Sequence, residues 1–309
     1  MAVEERVKPL INKVRVAGAL VSLSEMKEGV TQDGVPYCSF NGKVACDPEG
    51  KVEINFRTFE KAKTKMGKDM ANYPKVLAWY KSAVSKETNP DNPTMVEISG
   101  SLTDNPYVNS QDQLVETCQY SLKYFSDFKD YKAQIDIEGY IESLVEEVEG
   151  EDETSTGRMR MTLISRDGFN NTIVLKNLVI PEDFVDSLDG AGWEKGATIS
   201  AAIDIVPVES VKTVNTAAFG KQHAVQNFIR KEMVVTGGEV AFDPDSERAL
   251  KRSQVKAMME ERKAKLDAVV DAGYQGNKSG SSVSRGSIGG KKAQTKVDNS
   301  FDLDDDMPF

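Results

Sequence analysis

Histidine is almost absent: His223 is the only one in 309 residues. That excludes catalytic arrangements built on two histidines and the paired histidines of an HExxH zinc helix, and it leaves His223 as an ordinary surface or core residue. Cysteine is scarce too. Cys38, Cys46 and Cys118 are odd in number and contain no CxxC pair, so neither a disulfide framework nor a zinc knuckle is expected, and the three read as small buried hydrophobes. No apolar run approaches the roughly 20 residues that cross a bilayer. The start, MAVEERVKPLINK, lacks the apolar core and cleavage site of a secretory signal, so a cytoplasmic protein with no membrane contact is expected. Two motif-like stretches also fall short. GSIGGKKA at 286–293 has the wrong spacing for a phosphate loop, puts Lys292 where a magnesium-holding Ser or Thr belongs, and follows no strand. EEVEGEDET at 146–154 lacks the Asx spacing and fixed glycine of a calcium loop and reads as a solvated connection. No enzyme, no metal and no cofactor is expected.

The charge is present but unevenly spread. The net charge of −10, taken as a sum, argues against nucleic acid, whose phosphates need Lys and Arg. Residues 1–132, however, carry 18 basic and 18 acidic side chains, residues 133–243 carry 9 and 20, residues 244–297 carry 12 and 6, and residues 298–309 carry none and 5. The chain is polarised rather than uniformly acidic.

Hydrophobic content of 39% over 309 residues suits a globular protein of two domains. From Val14 the pattern is that of strands. VRVAGALVSLSEM alternates, and in VPYCSFNGKVAC the set Tyr37, Ser39, Asn41, Lys43 alternates with Cys38, Phe40, Gly42, Val44. In KVEINFRTF, Val52, Ile54 and Phe56 alternate with Glu53, Asn55 and Arg57, and DPEG at 47–50 makes a hairpin of the two segments. Residues 60–84 suggest helix through Met66, Met70, Val76, Leu77 and Tyr80, with a break or restart at Pro74. Two more strands follow. The order then repeats: AQIDIEGYIESLVEEV matches the first strand, with Gly139 central as Gly18 is, a hairpin turns at Asp167-Gly168, a short helix opens at Pro181, and two strands close the unit. A β-β-β-α-β-β order of short curved strands is that of the five-stranded oligonucleotide/oligosaccharide-binding (OB) barrel. The expected fold is therefore mainly β, with tandem OB-like barrels at 1–132 and 133–243. A helix over 244–274 is N-capped by Ser246, stopped by Gly273 and packed on the second barrel. Residues 275–299, rich in Gly, Ser and Lys, read as a flexible linker, and 300–309 as an acidic tail.

Single-stranded nucleic acid is bound by aromatic faces on which bases stack and by cations that track the backbone. The first barrel is rich in both. The candidate contacts are Tyr37, Phe40, Lys43, Arg57, Phe59, Lys61, Lys63, Lys65, Trp79, Tyr120, Lys123 and Tyr124. Tyr37 and Lys43 share one strand face, Tyr120 and Lys123 do so if their strand bends, and Asn55, Arg57 and Phe59 turn outward only with a bulge near Thr58. Lys61, Lys65 and Lys68 fall on one helical face, which could equally be solvated surface. Arg158, Arg160 and Arg166 could reach phosphate, but the acidic second barrel is read as serving assembly or protein contact.

The sequence ends SFDLDDDMPF. A barrel, a Gly/Ser-rich linker, and then Asp302, Asp304, Asp305 and Asp306 ahead of Met307, Pro308 and Phe309 resemble the bacterial and phage single-stranded DNA-binding protein family. Met307 stands where that family usually has Ile, a volume-conserving change. The resemblance implies a barrel that coats single-stranded DNA without sequence preference in replication, recombination and repair, and a tail that recruits partner proteins of those processes. Phe309 offers an apolar ring and a carboxylate, and the aspartates steer toward a basic surface. The second barrel and the 246–273 helix depart from the family pattern and put its usual homotetramer in doubt, leaving a homo-oligomer possible. The rival reading is an adaptor or replisome accessory protein that captures partners with the tail without coating DNA.

Overall fold

Alternation of apolar and polar residues becomes closed barrels here because each strand finds two neighbours. The computed structural model describes residues 10–149, 153–215 and 223–274. The first unit contains β1 (Asn12–Leu23), β2 (Lys27–Val30), β3 (Pro36–Ala45), β4 (Glu53–Lys61), α1 (Tyr73–Ser82), β5 (Met95–Asp104), the short pair β6 (Tyr107–Val108) and β7 (Leu114–Val115), and β8 (Cys118–Asp127). Five of these strands close in the order β1-β3-β4-β8-β5 and back to β1, with β4 and β8 parallel and the other pairs antiparallel. The second unit contains β9 (Lys132–Glu149), β10 (Thr154–Arg166), β11 (Thr172–Ile180), α2 (Glu182–Val185), α3 (Leu188–Ala191), β12 (Thr198–Asn215) and β13 (His223–Gly238), followed by α4 (Arg252–Ala272). It closes as β9-β10-β11-β13-β12-β9, again with only its third and fifth strands parallel. These are tandem OB-like barrels in a mainly β chain.

The two matching glycines explain how each barrel closes. β1 pairs with β9 through Asn12–Ala17 and with β3 from Ala19 onward, so Gly18 sits where the strand changes partner. A Cβ there would meet the Ala45 carbonyl oxygen at 1.8 Å, and one at Gly139, at the equivalent change in β9, would meet the Ile164 carbonyl oxygen at 2.6 Å. Only glycine allows the backbones to approach so closely. Because β1 and β9 pair antiparallel, from Asn12 opposite Ile137 to Ala17 opposite Lys132, the barrels join into one 11-stranded sheet.

The interior follows the alternation. Cys38, Phe40 and Val44 of β3 and Ile54 and Phe56 of β4 are at most 2% exposed, as are Ile135, Ile137 and Ile141 of β9. All three cysteines are buried and unpaired, and burial pushes the Cys46 and Cys118 thiols up to about 12.

Three expectations are corrected. The helix read over 60–84 exists only as α1, with Pro74 in its first turn; the residues before it prolong β4 and fold back, with Lys63 bridging Asp69. Lys61, Lys65 and Lys68 therefore share no helical face. Second, β3 and β4 stay in unbroken register from Tyr37 opposite Lys61 to Ala45 opposite Glu53, so no bulge occurs at Thr58. Thr58 points inward and donates to the Leu122 carbonyl at 2.6 Å, and simple alternation turns Arg57 and Phe59 outward. Third, α4 begins at Arg252, after Lys251 rather than Ser246: the Lys251 N–H donates to Gln254 Oε1, while Ser246 caps a separate turn by accepting from the Ala249 N–H. Gly273 ends the helix at φ 63°.

As expected, α4 packs on the second barrel. Leu250, Val255 and Met258 cover Tyr140, Ile164 and Val174, a small cluster on the barrel's outer side. The same helix reaches the first barrel. Arg262, 6% exposed, bonds Glu116 at 2.5 Å and Asp104 at 3.3 Å, and Lys265 bonds Asp104 at 2.9 Å. No helix among the described residues is long and apolar enough to cross a membrane.

Candidate nucleic-acid interface

The outward side chains of β4, β8 and β5 form the floor and walls of a groove of about 750 Å³. Alternation along β4 supplies Arg57 and Phe59. In β8 the register slips by one residue opposite Ser99 and Gly100, so that Leu122 faces Gly100 and Tyr124 faces Ser99, and Lys123 and Tyr124 both line the groove. The crossing is tight: a Cβ on Gly100 would meet the Ser121 carbonyl oxygen at 2.0 Å. The floor is small and polar, made of Ser99, Ser101, Ser121, Thr103, Gln119 and Asn105.

One end is closed by the second barrel. The β10–β11 turn is held by Asp167, whose Oδ1 accepts from the Phe169 and Asn171 N–H groups at 2.8 Å each and whose Oδ2 accepts from Asn171 Nδ2 at 2.8 Å. This fixed turn presents Phe169 to the groove at 80% exposure. Lys13, exposed at the start of β1, completes the lining. Three aromatic rings, Phe59, Tyr124 and Phe169, thus stand beside three cations, Lys13, Arg57 and Lys123, and two carboxylates, Asp104, which Arg262 and Lys265 neutralise, and Asp167, which its own turn holds. Lys123 lies 5.5 Å from the centre of the Tyr124 ring and 3.0 Å from the buried carboxylate of Glu60, which fixes its position. Such a surface can stack planar rings and neutralise a polyanion at once.

Of the twelve candidate contacts, Arg57, Phe59, Lys123 and Tyr124 meet in the groove. Tyr37 borders it, its ring 5.1 Å from that of Phe59, and faces Lys61 across the sheet. Lys63 and Lys65 lie beyond Lys61 in the turn before α1. Two of the others need correction, and Trp79 and Lys43 lie outside the groove's lining. Phe40 is 2% and Tyr120 6% exposed; both are core, and burial raises the Tyr120 phenol. The bend in β8 does occur, but it brings Tyr124 rather than Tyr120 beside Lys123. Trp79 stacks on Phe125 at 3.9 Å and packs against the core, and Lys43 pairs with Glu53 at 3.2 Å near the far end of β3. Phe169 and Lys13 escaped the sequence reading. The available signal was a Phe at the centre of an Asp-Gly turn, where no strand face can bury it.

The arginines of the second-barrel strand β10 are held by neighbouring groups. Arg158 and Arg160 are bound to Glu147 and Glu232, and Arg230 also bonds Glu232. Burial alone would raise Glu147, but hydrogen bonds from Arg158, Arg160 and Thr156 hold it at about 2. Arg166 bonds Asn170 within the Phe169 turn. No group of three or more His, Cys, Asp or Glu that could hold a metal occurs among the described residues. The proposed docking residues Asp302, Asp304, Asp305, Asp306, Met307, Pro308 and Phe309 lie outside the described residues, as does the linker.

A family model described as YorF matches residues 11–271, which spans both barrels and α4. No curated protein matches the chain. Among solved structures, the wild-type single-stranded DNA-binding protein from Thermus aquaticus is similar at 12% identity and TM-score 0.43, over 77% of this chain and 96% of that one. A deletion mutant of the same protein is similar at 12% identity and TM-score 0.42, over 77% and 99%.

Proposed function

The chain belongs to the YorF family, and for it we propose sequence-nonspecific binding of single-stranded DNA in the groove over β4, β8 and β5. The observation that carries this reading is the convergence of Phe59, Tyr124 and Phe169 with Lys13, Arg57 and Lys123 over a floor of small polar residues. Bases stack on the rings, each contributing about 1–3 kcal/mol, while the cations follow the phosphates. Every base has a flat face, so such a site coats a strand without reading its sequence. No catalytic role is assigned. Recruitment of replication, recombination and repair proteins by residues 300–309 is the second half of the proposal, and it rests on the sequence of the tail alone.

The test is titration of the protein into labelled oligo-dT, followed by fluorescence anisotropy at two salt concentrations. Binding that weakens steeply with salt supports the reading. No binding even at low salt supports instead the adaptor that captures partners without DNA.

A further inference from the structure

Residues 62–70, between β4 and α1, present an apolar side chain that the groove does not use. Met66 is 88% exposed, the highest value for a large hydrophobe among the described residues. It stands at the tip of an ordered turn. The Thr64 N–H donates to the Lys68 carbonyl at 2.8 Å, the Gly67 N–H to that of Thr64 at 2.9 Å, and the Met70 N–H to that of Ala62 at 2.9 Å. Lys63 bridges Asp69, and Gly67 takes a φ of 78° that allows the reversal. Residues 61–70 carry four lysines, Lys61, Lys63, Lys65 and Lys68, and one acid, Asp69. The Lys63–Asp69 pair is long, at 3.9 Å, and both partners are well exposed, so it neutralises little.

We propose that this turn is a second contact for the same single strand, in which Lys63, Lys65 and Lys68 hold phosphates and Met66 packs against the face of a base beyond the groove. The inference rests on the groove reading. Two observations select this occupant. Arg57, Phe59 and Lys61 alternate along the outer face of β4, which leads from the groove toward the turn, and the Ala62 N–H bond to the Pro36 carbonyl at 2.8 Å keeps the first residue past the strand on the sheet. The surface is also cationic with an apolar tip, the complement of a polyanion bearing flat apolar rings. Methionine, flexible and polarisable, adapts to any base. Lys65 lies four residues past the end of β4 at Lys61, outside the groove's lining, so only a strand longer than the groove can reach the turn.

The experiment compares oligo-dT of about 4 to 16 nucleotides, the span covered by single barrels of this type. Anisotropy is read for the full chain, for Met66→Ala, and for Lys63→Ala, Lys65→Ala and Lys68→Ala together. Short oligonucleotides should bind all three alike. For long ones the triple variant should lose roughly tenfold in affinity, with a log–log salt slope shallower by about 2, and Met66→Ala should weaken binding severalfold. Should the triple variant lose its native melting temperature, Met66→Ala decides by the same comparison. Equal affinity and equal salt slope at every length overturn the inference and leave the groove standing. Failure of the wild type to bind any length overturns the groove reading instead.

Discussion

At the scale of single residues, exposure separates aromatic side chains that hold the fold from those that can meet a ligand. Phe40 contacts Phe56, Trp79, Tyr80 and Phe125 in the first barrel; Phe40→Ala should cost about 3–5 kcal/mol in urea unfolding. Phe169 touches a groove rather than a core, so Phe169→Ala should leave the melting temperature unchanged and weaken oligo-dT binding by about 1–3 kcal/mol in an anisotropy titration. Glu147 belongs with the structural group. A carboxylate held at about 2 against its ordinary 4.5 contributes stability that is complete above 4.5 and lost as pH falls from there toward 2. Glu147→Gln should therefore be less stable than the wild type at neutral pH, with the difference shrinking across that window, as read by urea midpoints at a series of pH values.

At the scale of elements, α4 ties the barrels together and covers the outer side of the second. Its Arg262 is buried between Asp104, at 1% side-chain exposure, and Glu116. Burial alone would raise Glu116, yet Arg262 and Lys176 keep it below its ordinary value. Removing the buried cation leaves Asp104 with only Lys265 and Glu116 with only Lys176, both more exposed, and Arg262→Ala should cost about 3 kcal/mol by denaturant unfolding. The elements were largely legible because alternation with β-branched residues specifies strands, and the repeated strand order with Gly18 and Gly139 at matching places specifies a repeated barrel. The turn of 62–70 was not: its lysines and methionines have helical spacing, and only Gly67 and Pro74 hinted that the chain reverses first. Site residues were harder still. Alternation says which side of a strand a residue takes, and so separates Arg57 from Phe56, but Phe169 reaches the groove only because β1 and β9 pair and bring a turn of the second barrel against the first.

At the scale of the whole molecule, cations take up part of the second barrel's acidic charge. Glu147 and Glu232 bind arginines, Glu138 binds Arg248, and Glu209 binds Lys51 of the first barrel at 2.7 Å. The groove lies over first-barrel strands, and the second barrel adds to it the fixed turn of Asp167, Gly168, Phe169 and Asn171. The barrels share one sheet, Lys51–Glu209 and Arg262 cross between them, and Lys231 Nζ donates to the Glu53 carbonyl at 2.9 Å. They should therefore unfold as one cooperative unit, with a single calorimetric transition; two separated transitions would show independent barrels. The central claim, that one groove shared by both barrels binds single-stranded DNA, is tested most directly by oligo-dT anisotropy at low salt with the wild type and with Phe59→Ala and Phe169→Ala combined. The account predicts tight, salt-sensitive binding by the wild type and a loss of roughly tenfold or more in the variant. Equal binding by the two proteins at unchanged melting temperature would contradict it.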